Sequence, residues 1–455
     1  MDGQNRPSDQ TPHLAPALTA VILCVVVLES FGYYARSLEY RSITALARGE
    51  AVIEREGKLA PVKNQGTALQ QAALDTGCLL PVYGSSELNL QALYNRPFHA
   101  TILFHDLPTG FTIFPVGKAG STCLIILQKL AAVGPALQGR KVAISLSPFW
   151  FFERLTAPAD MYAGNFSDLH AGELAFDSSL SLQLRQDIAR RMLQFPTSLA
   201  NRPLLRFALE KLADGSRLSL ACYDAVLPLG MMHNAILHYQ DHWSVLNYYW
   251  KHPANPSPPT SPRSLPPLDW VMLHRQADEL YRAHSNNNEF GIDNDKWDRE
   301  LRQETLRLMN RSDEAFLRTL EQNQEWADLE LLLRELNELG ARPLLLSMPI
   351  HGGWYDHCGI TYGARRAYYE KLRGICARYH SPVVDFADHD SDQTFCHDIM
   401  GHFAPSGLVH YNQIFDGFFH DAIPRQPELR APAPVASTGT KAGPPPRPAP
   451  GSQPP

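Results

Sequence analysis

The apolar positions divide the chain into three regimes. Residues 14–28, LAPALTAVILCVVVL, are almost continuously apolar and run into ESFGYYA. With its flanks the run reaches roughly 20 residues, the length that crosses a bilayer core. Tyr33 and Tyr34 suit the interface belt. No small-x-small cleavage site follows and the preceding residues are hardly basic, so the run reads as an uncleaved anchor over 14–34 rather than a signal peptide. Arg36, Arg41 and Arg48 follow it and only Arg6 precedes it. The positive-inside rule taken alone would place the following residues in the cytoplasm, but large domains translocate largely regardless of flanking charge.

Beyond a connecting segment, 35–75, short apolar runs alternate with helical patterns. LLPVYG (79–84) leads into GSSELNLQAL, a strand followed by a helix start. TILFHD (101–106) precedes a loop containing Gly110, Gly117 and Gly120. STCLIILQKLAAV (121–133) has helical spacing, and KVAISLSPFWF (141–151) has the pattern of a buried strand. RPLLLSMPI (342–350) and PVVDFA (382–387) each follow a long helical run. This alternation predicts an α/β fold with a mostly parallel sheet and helices on both faces. Between about 155 and 330 the pattern turns predominantly helical, which reads as an insertion between strands within one domain over 76–422. Inside it, KHPANPSPPTSPRSLPP (251–267) is too proline-rich for a helix or central strand. From 423 the Pro-rich end cannot bury enough apolar surface to order itself, and 1–13 is a short polar N-terminus.

Composition narrows the function. The 455 residues carry a formal net charge of -6, which does not suggest a nucleic-acid binder. Seven cysteines lie at 24, 78, 123, 222, 358, 376 and 396 without a C-x-x-C pair, which argues against zinc and thioredoxin-like chemistry. Apart from Cys24 in the apolar run, they are compatible with free thiols or with up to three disulfides.

Four features at strand ends carry candidate chemistry. Gly84-Ser85-Ser86-Glu87 places a serine on a tight turn after a strand; a plain helix N-cap looks the same. Asp398 and His402 could supply a base and the carboxylate that orients it, with His397, His410, Asp390 and Asp392 as nearby alternatives. Gly117-Lys118-Ala119-Gly120-Ser121 could offer backbone N–H groups to an oxyanion, or form an ordinary turn. Trp354 and Tyr355, after the strand at 342–348, could stack on a sugar, line an acyl pocket, or belong to the core. Taken in order, these features converge on one sheet edge.

The chain resembles the DltD family, and through it the SGNH hydrolases. The resemblance rests on the single anchor, GSSEL (84–88), GKAGS before an apolar helix (117–130), GRKVAISLSPFWF (139–151), PLLLSMPIHGGWYD (343–356), VVDF (383–386) and the terminal Asp, His and Gly. It implies an SGNH-hydrolase-like, flavodoxin-like three-layer fold. It also implies Ser86 as nucleophile, His402 as base, Asp398 as its partner, and Gly120 or Gly117 in the oxyanion hole. The family pattern D-x-x-H-L-x-x-x-G-W is altered here: Asp398 and His402 are four apart, and Leu408 follows Gly407 where Trp is expected. No Asn matches the third SGNH block at 145–151.

The resemblance further implies a single-pass protein of the bacterial inner membrane, with its catalytic domain in the periplasm or outside the cell. Such a protein assists acylation (D-alanylation or acetylation) of a surface polysaccharide or glycolipid. Its partners would be a membrane-bound O-acyltransferase, an acyl carrier or donor, and the lipid bilayer; no metal or organic cofactor is called for. The Pro- and Ala-rich composition suits a Gram-negative source, where lipopolysaccharide or an exopolysaccharide such as cellulose would be the acceptor. A polysaccharide deacylase and a non-catalytic assembly subunit are the two alternatives.

Overall fold

The computed structural model describes residues 14–49, 60–90, 92–107, 109–152, 158–176, 179–251, 268–302 and 311–422. The N-terminal 13 residues, nearly all of the Pro-rich segment 251–267 and the end from 423 lie outside the described residues. Five parallel strands form one sheet: β1 (Leu79–Gly84), β2 (Thr112–Gly117), β3 (Lys141–Leu146), β4 (Arg342–Ser347) and β5 (Val383–Val384). Their order is β2-β1-β3-β4-β5, that of flavodoxin-like doubly wound sheets. The main helices are α1 (Leu14–Gly49), α2 (Cys123–Val133), α3 (Arg217–Lys251), α4 (Glu325–Glu338), α5 (Tyr362–Arg378) and α6 (Pro405–Phe419).

Side chains alternate across the sheet, as the two-residue strand period requires. Tyr83, Val142, Ile144 and Leu345 face one core with α2, α4 and α5. Leu80, Val82, Ala143, Leu344 and Leu346 face a second core with α6. Both faces are covered, which explains why β1 and β3 are apolar runs rather than alternating ones. The helices between β3 and β4 contribute Leu174, Leu184, Ile188 and Leu209 to the first core, so the insertion shares one continuous interior with the sheet. Phe151, just after β3, meets Trp326 of α4 at a ring separation of 4.4 Å and ties the two ends of the insertion together. Such aromatic pairs add about 0.5–1.5 kcal/mol beyond area burial.

Two local expectations change. TILFHD lies in a helix, Ala100–Asp106, and the stretch expected as a Gly-containing loop holds a strand, Thr112–Gly117, between Gly110 and Gly120. The helix expected after GSSEL is a single 3-10 turn, Ser86–Leu88, after which Asn89 becomes extended. A macrodipole beneath Ser86 is therefore absent from this turn. None of the seven cysteines forms a disulfide.

α1 contains a 20-residue stretch, Ala15–Tyr34, long and apolar enough to cross a membrane, and none of that stretch is buried among the described residues.

Candidate active site

The connection from β1 goes to one side of the sheet and the next returns to the other, so the order reverses between β1 and β3. Ligands of open α/β sheets gather outside the strand C-termini at such a point. Ser86 sits there, two residues beyond β1. The backbone packing is close: a Cβ on Gly117, at the end of β2, would come within 2.9 Å of the Ser85 carbonyl and of Leu88. Glu87 turns inward, and its Oε1 accepts the Ser85 N–H at 2.8 Å. Burial pushes the Glu87 carboxyl pKa up, against the lowering effect of that hydrogen bond.

The segment before α6 supplies the other half. Asp398 Oδ1 accepts the N–H groups of Met400 at 3.0 Å and of His402 at 3.1 Å, closing a tight loop. Asp398 Oδ2 lies 2.5 Å from His402 Nδ1, and His402 Nε2 lies 2.8 Å from Ser86 Oγ. A carboxylate only accepts, so Nδ1 carries the proton and Nε2 offers its lone pair to the serine hydroxyl. Burial would raise the Asp398 pKa, but the His402 charge and hydrogen bond outweigh it and hold the carboxyl far below its usual range. Burial would lower the His402 pKa, but Asp398 outweighs it and the imidazole pKa is raised. Ser86 is half-buried and remains open to solvent on one side.

The alternatives to Asp398 and His402 are otherwise engaged. Asp390 is bound to the fully buried Arg365, with Nη2 2.6 Å from its Oδ1. Asp392 pairs with His389 at 3.0 Å, and His410 stacks on Phe395 at a ring separation of 5.5 Å. His397 is buried 3.5 Å from Asp398 Oδ2, and neither of its ring nitrogens is hydrogen-bonded. His397, Asp398 and His402 bring ligand atoms within 4.8 Å of one another, close enough for a metal. Both nitrogens of His402 are already committed to Asp398 and Ser86, so a metal there would have to break the relay.

The loop candidates behave differently. Gly120 has φ +81, a conformation that favours glycine, and its N–H is given to Ser85 Oγ at 3.0 Å rather than to Ser86. The Gly117 carbonyl accepts from Asn64 Nδ2 at 2.9 Å. Asn165 escapes sequence reading because it lies 44 residues beyond Ser121 with no motif around it. Its Nδ2 donates to the carbonyls of Ala119 at 3.1 Å and Met161 at 3.0 Å, bracing the loop beside the serine turn. Trp354 and Tyr355 are only 1% and 3% exposed. Trp354 packs on Phe290 and Tyr355 on Phe152, so neither ring is available to a substrate.

A cavity of about 450 Å³ opens beside the start of α2, lined by Thr122, Trp150, Arg191, Asn323 and Glu325. It contains neither Ser86 nor His402. Its carboxylates serve the fold: Glu325 accepts the Cys123 N–H at 2.6 Å, and Asp328 takes Arg191 through two hydrogen bonds.

The model of the family described as DltD protein matches residues 56–420. The chain belongs to the DltD family. Protein DltD of Bacillus subtilis is 29% identical over 377 residues, which cover 83% of this chain and 91% of that protein. Protein DltD of Staphylococcus aureus is 26% identical over 370 residues, covering 81% and 88%. The match to the DltD family spans the sheet, the helical insertion and all three members of the relay.

Proposed function

We propose that this DltD-family protein carries an acyl group on Ser86 and passes it to a hydroxyl of a cell-surface polysaccharide or glycolipid. The observation that carries this reading is the relay Ser86–His402–Asp398, with links of 2.8 and 2.5 Å. His402 Nε2 takes the Ser86 proton as Oγ attacks the carbonyl of a thioester or ester donor. The tetrahedral adduct collapses, and His402 protonates the departing thiol or alcohol. An acceptor hydroxyl then gives its proton to His402, attacks the acyl-Ser86 carbonyl, and Ser86 leaves with that proton. Water in place of the acceptor would give hydrolysis by the same steps.

Membership of a family involved in cell-surface D-alanylation supports D-alanyl or acetyl as the group carried. The apolar stretch at 15–34 supports a membrane-held domain, and membership of the DltD family supports its working on the outer side, beside a membrane-bound O-acyltransferase. The test is fluorophosphonate labelling of the detergent-solubilised full chain. Wild type should label, whereas Ser86→Ala and His402→Ala should not. A folded wild type that fails to label would sink the acyl-serine reading.

A further inference from the structure

α3 is 35 residues long, and its two sides are treated very differently. One side is buried against the domain through Tyr223, Asn234, Asp241 and Val245. Asp241 Oδ2 accepts the N–H groups of Thr67 at 2.8 Å and Ala68 at 2.9 Å, which fixes the rotation of the helix. The opposite side carries Leu229, Ile236, Trp243 and Trp250, exposed by 51%, 50%, 50% and 57%. They stand at successive seven-residue steps, so they form one stripe that drifts only about 20° per step. It runs about 31 Å at 1.5 Å per residue. Exposed His233, Gln240 and Ser244 flank it. With exposed Met232 and half-buried Tyr239 between them, these side chains make an apolar stripe long enough to mark an interaction surface.

The neighbour of the stripe identifies what covers it. α3 meets α1 at the last turn of the membrane-length stretch. The Phe31 and Trp243 rings are 5.9 Å apart, Tyr239 donates to Glu29 at 3.3 Å, and Gly32 lies against the Tyr239 ring. That turn is where a helix leaves the hydrocarbon for the headgroups. Tryptophan is enriched at this depth because its ring is apolar and its N–H polar. A stripe with polar margins suits the same boundary.

We propose that the exposed stripe of α3 rests in the lipid headgroup–acyl boundary beside α1, seating the domain on the bilayer at two points rather than letting it swing from one helix. This rests on α1 being a membrane anchor. Rigid seating would hold Ser86 at a fixed height above the membrane, which suits a donor delivered from the bilayer.

α1 contains no tryptophan, and Trp243 and Trp250 are two of the seven in the chain, so the second contact is read as the quenching lost between wild type and a variant lacking those two. The full chain is reconstituted into phosphatidylethanolamine–phosphatidylglycerol vesicles whose acyl chains carry bromine, a contact quencher. Wild type is expected to co-float and to be quenched, and Trp243→Phe/Trp250→Phe is expected to co-float but lose most of that quenching. Co-flotation without quenching, or quenching unchanged in the double variant, overturns the proposal alone and points to a protein partner on this face. Failure to co-float overturns the anchor and the proposal together. Neither result bears on Ser86 labelling, which is read separately.

Discussion

His402 Nε2 lies 2.8 Å from Ser86 Oγ although 316 residues separate them along the chain. The sheet accounts for this: β1 ends at the switch point, and the loop into α6 returns to the same edge. On the acyl-serine proposal, removing the hydroxyl or the imidazole takes away the nucleophile or its base. Ser86→Ala and His402→Ala should each lower acyl transfer by about 10⁴-fold or more. Thermal unfolding should barely move for Ser86→Ala, since a half-buried hydroxyl contributes only about 1 kcal/mol. Single-turnover kinetics with an activated ester, read beside circular dichroism melts, check both.

Asp398 fixes the tautomer of His402 and raises its pKa, so its loss should change the pH profile as well as the rate. On the acyl-serine proposal, the working form of His402 is neutral. Because Asp398 holds the imidazole pKa above 6.5, reaction should rise with pH through a midpoint above that value. In Asp398→Asn the raising charge is gone and burial, which lowers the pKa, prevails. The midpoint should then fall below the wild-type value while the plateau drops by about 10⁴-fold. The labelling rate measured from pH 5 to 9 gives both numbers. A midpoint that does not move would show that Asp398 is not what sets the base.

Trp354 should behave as a core residue. It is enclosed by Phe290 and His357 on the α5 side of the sheet. Trp354→Ala should cost about 3–5 kcal/mol through the cavity it leaves. Denaturant unfolding should show that loss, and KM for a soluble ester should stay near wild type in the surviving folded fraction. A raised KM with unchanged stability would restore a binding role.

Asp390 and Arg365 make a buried ion pair between α5 and the loop that leads to Asp398, and the Asp390 carbonyl also accepts the Gly352 N–H at 2.8 Å. Asp390→Ala leaves the Arg365 guanidinium buried, with the exposed Asp356 as its one anionic partner among the described residues. The expected loss is about 3–5 kcal/mol, read by urea titration. Arg365→Met/Asp390→Leu should be less damaging than the single change, because neither residue then strands a charge.

Legibility in the sequence followed the physics of each segment. β1, β3 and β4 could be read because both of their faces are covered and their apolar runs are unbroken. β2 could not, because TIFPVG lies between Gly110 and Gly120 and reads with them as one glycine-containing loop. β2 is an edge strand, where the missing proline N–H is tolerated. TILFHD was ambiguous because six apolar-rich residues fit either period. Ser86, Asp398 and His402 stood out in the sequence as candidates through their motifs, and the fold brings their side chains together. That Gly120 serves Ser85, that Asn165 braces its loop, and that Trp354 is enclosed depend on contacts between distant segments, which residue type alone does not encode.

Glu87 is the remaining residue of the serine turn whose role can be isolated. Its Oε1 is the acceptor for the buried Ser85 N–H, and Ser85 Oγ in turn accepts from Gly120. Glu87→Ala leaves the Ser85 N–H unsatisfied, which costs about 1–3 kcal/mol and loosens the turn that aims Ser86. Glu87→Gln keeps an acceptor oxygen in nearly the same shape. If the carboxylate only holds the turn, Gln should restore both melting temperature and labelling rate, and Ala should lower both. If its charge also supports protonated His402, Gln should restore the melting temperature but shift the labelling midpoint to lower pH, since Glu87 is among the groups that raise the His402 pKa. Melting curves and pH–rate profiles of the two variants decide between these roles.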